Sequence, residues 1–395
     1  MATTHVFIVD VYTFNAHLKY LFAGTGAGTD SIDFNNSRTT TLYAGRKHGG
    51  EKKLVSMAAD ASRIRRGDKI IFYLQQNGEA GVPEGKFFGV FKATQNWSFL
   101  DNNGYFQYLF GIELNKLLLY RTLLEPDTVY PKGITEWEAL ESITGLTSPS
   151  QMIWSLIYRK IKANRGNTMV TIYESERLCR LIKDKNNGTP LVINNNQLSF
   201  DKKTKEISVV DSPKITYAGR QEVIDYLPRL LQINTTGKQM EFHLQWYIIK
   251  NIGLGTNPSL DSAVLGNNFS IEWLGNEVLC GAGMQRIDIA LSVNYEDKKV
   301  FTAVELKDGI INPGIVNQIN RYVDWIEQYY IPNRKSEILP AIIAKKYINK
   351  ADANYVKTIN SFNTFNTAHA SRCKGIKYIE YEITGNNLIF NSVPY

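Results

Sequence analysis

The sequence predicts a two-domain chain. The N-terminal half reads as an α+β curved sheet or barrel, and the C-terminal half as an α/β core with a mixed sheet flanked by helices. Three observations predict this. The chain of 395 residues is too long for one comfortable core and suits two domains. From Val6 to about Ile172, runs rich in aromatic and β-branched residues alternate with polar, Gly-rich connections, the mark of a strand-dominated domain. From about residue 235 onward, strand-like and helix-like periodicities alternate, which predicts an α/β sandwich. The boundaries read as 1–180 for the first domain, 181–234 for a linker with a hairpin and a helix, and 235–395 for the second domain.

In chain order, the first domain offers strands at His5–Val11, Lys69–Gln75, Lys86–Thr94 and Tyr105–Glu113. A helix is expected over Gln151–Lys162, where Ile153, Leu156, Ile157 and Ile161 form a partial apolar stripe. The connecting segment reads as an Asn-rich hairpin with a strand at Glu206–Val210, followed by a helix over Arg220–Leu231. Gln239–Ile249 places Met240, Leu244 and Ile248 on one helical face. Strands then follow at Phe269–Leu274, Arg286–Val293 and Lys299–Leu306. The rest is a helix over Gly314–Tyr330, a strand at Ile338–Ala344, a helix at Ala351–Phe362 and a strand at Lys374–Glu382. There is no internal repeat and no low-complexity tract.

A hydrophobic fraction of 43% is ordinary for a globular protein, and no apolar run reaches the roughly 18–20 residues of a membrane span. The formal charge of +7 and pI near 9.0 favour contact with a polyanion without requiring it. Three widely separated cysteines, Cys179, Cys280 and Cys373, lack the paired spacing of a zinc knuckle or disulfide framework. With no charged leader before the first strand, a reducing, cytoplasmic setting is expected. The five histidines, His5, His17, His48, His243 and His369, show no metal-ligand spacing.

The chemistry gathers in the second domain. In Arg286-Ile-Asp-Ile-Ala-Leu291 the two-residue period of a strand puts Ile287, Ile289 and Leu291 on one face and Asp288 on the other. In the next strand Glu305 and Lys307 share a face, opposite Val304 and Leu306. A hairpin would bring the three polar residues together. Two carboxylates on neighbouring strands are hard oxygen ligands suited to Mg²⁺, and a lysine beside them can position or help deprotonate an attacking water. The bland alternative is a pair of solvated strand-end residues. Just before the acidic strand, Gly281-Ala-Gly-Met leaves backbone room for a phosphate or metal to approach. After it, Asn312-Pro-Gly314 can start a helix buried through Val316, Ile319, Val323 and Ile326, with Gln318 and Tyr322 adjacent at i and i+4.

This stretch resembles the PD-(D/E)XK nuclease superfamily, with Asp288 as first acid and Glu305-Leu306-Lys307 as second acid, spacer and lysine. Gln318-Ile-Asn-Arg-Tyr322 is similar to the Gln-x-x-x-Tyr motif of its RecB-like branch, and the strand, helix and strand after Ile338 look like the end of NucS-type endonucleases. The resemblance spans about residues 235–385. It implies that Asp288 and Glu305 bind the metal and that the Leu306 carbonyl adds a ligand. By the same likeness Lys307 serves the water, Glu241 is a further or second-metal ligand, and Gln318 and Tyr322 orient DNA or the lysine. Mg²⁺ is the cofactor it implies, with Mn²⁺ as a substitute.

In the first domain Ser62-Arg-Ile-Arg-Arg-Gly-Asp68 leads into an apolar strand, and Lys86-Phe-Phe-Gly-Val-Phe-Lys follows after a loop. That order resembles the PUA-like fold of EVE and YTH domains over roughly residues 4–175. The likeness implies a base, often a modified one, held in an aromatic pocket by stacking and edge contacts. Tyr43, Trp97 and Phe99 fall where such cage aromatics sit, with packing in the barrel core as the alternative for each. Arg46, Lys47, Lys52 and Lys53, with Arg63, Arg65 and Arg66, form the densest basic stretch; it would track phosphates or lie as a solvated surface run. The expected activity is Mg²⁺-dependent cleavage of double-stranded DNA, with restriction as the setting and a homodimer as one way to cut both strands. The rivals are a sequence-specific restriction enzyme acting on unmodified DNA, a NucS-like repair endonuclease, and a nucleic-acid-binding protein with an inactive nuclease fold.

Overall fold

The computed structural model describes residues 3–26, 50–101, 107–141, 143–153, 166–237, 239–280, 285–331 and 336–395. The chain divides into two compact units, Ala2–Asp225 and Tyr226–Tyr395, both mixed α/β.

The first unit is built on strands β1 (Thr4–Val9), β2 (Phe22–Thr25), β3 (Lys69–Leu74), β4 (Lys86–Ala93), β5 (Phe99–Leu100), β6 (Tyr120–Pro126), β7 (Ile134–Thr135) and β8 (Asn167–Val170). They form one curled sheet in the order β2-β6-β4-β3-β1-β8, with β5 against β6 and β7 against β4. β1 runs parallel to β3; the other pairs are antiparallel. Gly67, at φ +86°, makes the tight entry into β3 that a side chain would strain. Asp68 then anchors the turn, accepting from the Arg65 backbone N–H and facing His5 Nε2, each at 2.8 Å.

The helices of this unit are α1 (Phe14–Lys19), α2 (Gly50–Ser62), α3 (Glu136–Glu141) and α4 (Ile172–Lys185). One face of the sheet packs Phe7, Phe72, Phe88 and Phe91 with Phe14 of α1. The other face packs Val6, Ile71 and Tyr73 against Leu178 and Ile182 of α4. α4 begins in a capping box, in which the Thr171 hydroxyl accepts from the Glu174 N–H and the Glu174 carboxylate accepts from the Thr171 N–H. Strands β9 (Asn196–Asp201) and β10 (Glu206–Pro213) form a two-stranded hairpin.

Several expectations change here. The expected strand Tyr105–Glu113 is a turn over its described part, Gln107–Glu113, because the pairing partner of β4 and β2 is instead β6. The helix expected over Gln151–Lys162 lies largely outside the described residues; its first residue ends a 3₁₀ turn, Pro149–Gln151. The segment read as a linker is packed structure, since Leu198, Phe200 and Ile207 of the hairpin insert into the first unit's core.

The second unit begins with α5 (Leu227–Thr235), α6 (Glu241–Asn251) and α7 (Pro258–Val264). A six-stranded sheet follows in strict chain order: β11 (Ser270–Cys280), β12 (Gln285–Asn294), β13 (Lys299–Leu306), β14 (Glu337–Lys345), β15 (Lys377–Thr384) and β16 (Asn387–Ser392). β13, β14 and β15 are mutually parallel and the outer pairs antiparallel. Parallel neighbours need crossovers, supplied by α8 (Ile315–Trp325), which continues into a π-turn at Ile326–Tyr330, and by α9 (Ala353–Ala368). Met240, Leu244 and Ile248 are buried as one α6 stripe, and Ile319, Val323 and Ile326 as the α8 stripe. Ile287, Ile289, Leu291, Val304 and Leu306 are all fully buried. At about 1.5–3 kcal/mol for each such side chain, their burial fixes the face of each strand, and therefore the faces of the polar residues between them.

Candidate active site

The β12–β13 ladder pairs Ile289 with Val304. The ladder ends at that pair, and Asp288 and Glu305 are the first residues beyond it on their two strands. Asp288 Oδ2 accepts a hydrogen bond from the Leu306 backbone N–H at 2.8 Å, which ties the first acid to the strand carrying the second. Lys307 Nζ donates to Glu305 Oε1 at 2.5 Å. From α8 the Tyr322 hydroxyl reaches Glu305 Oε2 at 2.5 Å and the Arg286 carbonyl at 2.8 Å. The structure thus gathers Asp288, Glu305, Lys307 and Tyr322. Glu305 is 2% exposed, so the second acid is not a solvated strand-end residue but is buried against the Tyr322 hydroxyl of α8.

Glu241 opens α6, whose N-terminus is fixed by Asp308 Oδ2 accepting the Met240 N–H at 2.8 Å. Burial pushes the Glu241 carboxyl up, the Lys307 charge pulls it down, and Asp308, Glu305 and Glu277 push it up again. It therefore lies within electrostatic reach of the same acids. Gln318 is half-buried on α8.

Sequence reading missed four neighbours. Glu277 of β11 stands opposite Asp288, because the register is constant on either side of it (Asn276 with Ile289, Val278 with Ile287). Three adjacent strands therefore carry a row of carboxylates, Glu277, Asp288 and Glu305. Arg286 pairs with Glu277. Gln245, one turn after Glu241, donates through Nε2 to the Asp288 carbonyl at 2.9 Å and lies 3.4 Å from Glu277 Oε1. Cys280 is buried at the end of β11, its thiol pushed up to about 12 by burial and by the Glu305 and Asp288 charges. Gln245, four residues after Glu241 on one helix, was the signal available; the other three depend on strand register.

Like charges opposite one another destabilise a sheet. Two of the three are compensated, Glu277 by Arg286 and Glu305 by Lys307. Among the described residues the Asp288 carboxylate is met by the Leu306 amide and by no cation, and burial, then the Glu305 charge, raises its carboxyl well above the ordinary aspartate range. Burial lowers the Lys307 ammonium, but the carboxylates around it, Glu305 with Glu241 and Asp288, together outweigh burial and raise it. Burial and Glu305 together raise the Tyr322 phenol.

Among the described residues no group of three or more His, Cys, Asp or Glu side chains is gathered closely enough to hold a metal ion unaided. Mg²⁺ does not ask for one, since it binds through one or two carboxylates and fills its shell with water and phosphate oxygens. Asp288 and Glu305 have that donor chemistry, and the excess negative charge at Asp288 is what a cation would relieve.

In the first unit Phe99 belongs to the core rather than to a cage: it is 5% exposed and packs in one cluster with Phe22, Leu118 and Tyr217. Arg63 does not face solvent phosphates either, being fully buried and paired with Asp60 at 3.1 Å. Arg65 is half-buried, its guanidinium on the Ser62 and Ile64 carbonyls at 2.6 and 3.3 Å. Lys52, Lys53 and Arg66 are exposed, and Trp97 is half-buried at φ +60°. Tyr43, Arg46 and Lys47 lie outside the described residues. A cleft of about 650 Å³ lies at the opposite end of the second unit's sheet, lined by Lys299, Glu337, Arg372 and Lys374, and holds none of the candidate residues. Among the described residues no helix is long and apolar enough to cross a membrane.

No protein-family model matches the chain, and no curated protein does. Among solved structures it is similar to a hypothetical protein from Leishmania major, at 12% identity and TM-score 0.28, over 47% of this chain and 97% of that one. It is also similar to Pyrococcus furiosus SfsA in complex with Ca²⁺, at 11% identity and TM-score 0.22, over 51% of this chain and 90% of that one. Likenesses at these scores decide neither fold family nor function.

Proposed function

We propose that the second unit is a Mg²⁺-dependent DNA endonuclease of the PD-(D/E)XK kind and that the chain is a restriction enzyme. The observation that carries the reading is the cluster in which Asp288, bonded to the Leu306 N–H, and Glu305 lie on neighbouring strands just past their last ladder pair, with Lys307 bonded to Glu305. Like carboxylates held together at a cost to stability mark a site built for a cation. Asp288 and Glu305 would hold the Mg²⁺, with Glu241 and the Leu306 carbonyl as further donors; Mn²⁺ would substitute. The bound cation stabilises negative charge on the phosphate and on the leaving oxygen. Lys307 Nζ, held by Glu305 Oε1, is placed to orient the attacking water. Tyr322 fixes the other Glu305 oxygen, so that the carboxylate presents one geometry. Gln318, on the same helix, is available to contact DNA.

On this reading the first unit selects the target, taking a base, modified and flipped, against Trp97, while exposed Lys52, Lys53 and Arg66 meet backbone phosphates. A sequence-specific enzyme acting on unmodified DNA is the second reading, favoured by the removal of Phe99 from any cage. Matched unmodified, methylated and hydroxymethylated duplexes, incubated with Mg²⁺ and protein, separate the two. Preferential cutting of a modified duplex is expected. Fixed-site cutting of the unmodified one refutes the base-modification reading, and intact DNA throughout refutes the nuclease.

A further inference from the structure

Two cations stand in the row beside the three acids. Lys307 is engaged by Glu305 and its side chain is 26% exposed; Arg286, on β12, is 34% exposed and paired with Glu277. Arg286 and Asp288 point from the same face of β12 by the two-residue period. Glu277 keeps its place at φ +52°, a conformation that costs a non-glycine residue stability, and a two-carboxylate Mg²⁺ site does not need it as a third acid. Its contacts are instead with Arg286 and, through Gln245 Nε2, with the backbone of Asp288. A guanidinium presents five donors in a planar fork. One Nη of Arg286 is spent on Glu277, and among the described residues the rest of the fork is left for a planar or tetrahedral oxyanion.

We propose that Arg286 is a substrate-contacting residue, its guanidinium taking a DNA backbone phosphate next to the Asp288–Glu305 pair. Glu277 is then a positioning residue that holds that guanidinium beside the acids without letting it neutralise Asp288. The inference rests on the nuclease reading of the same site and adds the phosphate-gripping residue that the motif does not name. Arg286 supplies charge and geometry to the strand; Glu277 supplies geometry alone.

The test combines binding and cleavage of one 30-base-pair duplex. Binding is measured in EDTA from about 50 to 200 mM salt. Arg286→Ala should weaken it several-fold and lower the salt slope by about 0.9, the release of one phosphate contact. Arg286→Lys keeps the charge and should keep the slope, while cleavage with Mg²⁺ falls about tenfold for want of the fork. Glu277→Ala should leave the slope unchanged and lower kcat with little change in KM; Glu277→Gln, whose amide oxygen still accepts from the guanidinium, should recover most of it. A wild-type slope in Arg286→Ala, or wild-type cleavage by Arg286→Lys, overturns the assignment of Arg286. A Glu277→Ala slope as low as that of Arg286→Ala overturns the positioning role. Failure of the wild type to cut any duplex refutes the nuclease reading instead, and is seen separately from the slopes.

Discussion

Asp288→Asn should make the protein more stable while removing its proposed activity. Asparagine keeps an oxygen to accept the Leu306 N–H and removes the acid of the row that has no ion pair among the described residues. Cross-strand neighbours lie about 5 Å apart, and at an effective dielectric near 20 one like-charge pair there costs about 3 kcal/mol. Arg286 and Lys307 cancel much of it, leaving about 1–2 kcal/mol, or a Tm rise of about 2–8 °C for a unit of this size. The sign with pH follows from linkage. The Asp288 carboxyl titrates above its ordinary value of 3.8 in the fold, so the native state holds its proton more tightly. Stability is then highest below about pH 3.8, falls as pH rises toward the folded-state value, and stays low above it. The gain from Asp288→Asn should therefore appear at pH 8 and vanish near pH 4, measured by thermal melting in EDTA. A variant no more stable than wild type at pH 8, or equally stabilised at both pH values, refutes the electrostatic account.

Three further outcomes follow from the same geometry. Tyr322→Phe removes the hydroxyl shared by Glu305 and the Arg286 carbonyl; a loss of about 1–2 kcal/mol in denaturant melts and an about tenfold lower cleavage rate are expected, and an unaffected rate would leave Tyr322 a packing residue. Arg63→Ala removes a buried cation that pairs with the buried Asp60 carboxylate and should cost about 3–5 kcal/mol while leaving the salt slope of DNA binding unchanged; a reduced slope would return Arg63 to the DNA-facing set. Trp97→Ala should weaken target-selective binding and leave the salt-dependent background, whereas unchanged selectivity in competition assays would assign Trp97 to packing alone.

How far the sequence carries depends on where the specifying interactions lie. β12 and the end of β13 are legible because apolar residues flank each polar one there (Ile287 and Ile289 about Asp288, Val304 and Leu306 about Glu305), and the two-residue period turns Asp288 away from its neighbours and Glu305 and Lys307 to one side. α6 and α8 are legible by their apolar stripes. Glu277 is not: β11 carries Trp273, Leu274, Val278 and Leu279 without clean alternation, and its meaning arises only from pairing opposite Asp288. Tyr322 was legible as a polar neighbour of Gln318 but not as a buried one, because its hydroxyl is satisfied within the site rather than by water. In the first unit, β6 hides in Leu118–Pro126 behind the more conspicuous aromatic run before it. Phe99 and Arg63 look like surface chemistry until packing places them among Tyr217 and Asp60. The α4 capping box, Thr171 to Glu174, was a local signal in plain view.

The central claim is that the acid row with its lysine hydrolyses DNA, and single-turnover cleavage of a supercoiled plasmid carrying the base form, modified or unmodified, that is preferred in the duplex assay tests it most directly. Wild-type protein should convert the plasmid to nicked and linear forms with Mg²⁺ or Mn²⁺ and not in EDTA. Glu305→Gln and Lys307→Met should each cut at least about 10²-fold more slowly, the scale for removing one group that stabilises the transition state. A wild-type protein that leaves the plasmid supercoiled with either cation, or variants that cut as fast as wild type, would contradict the account.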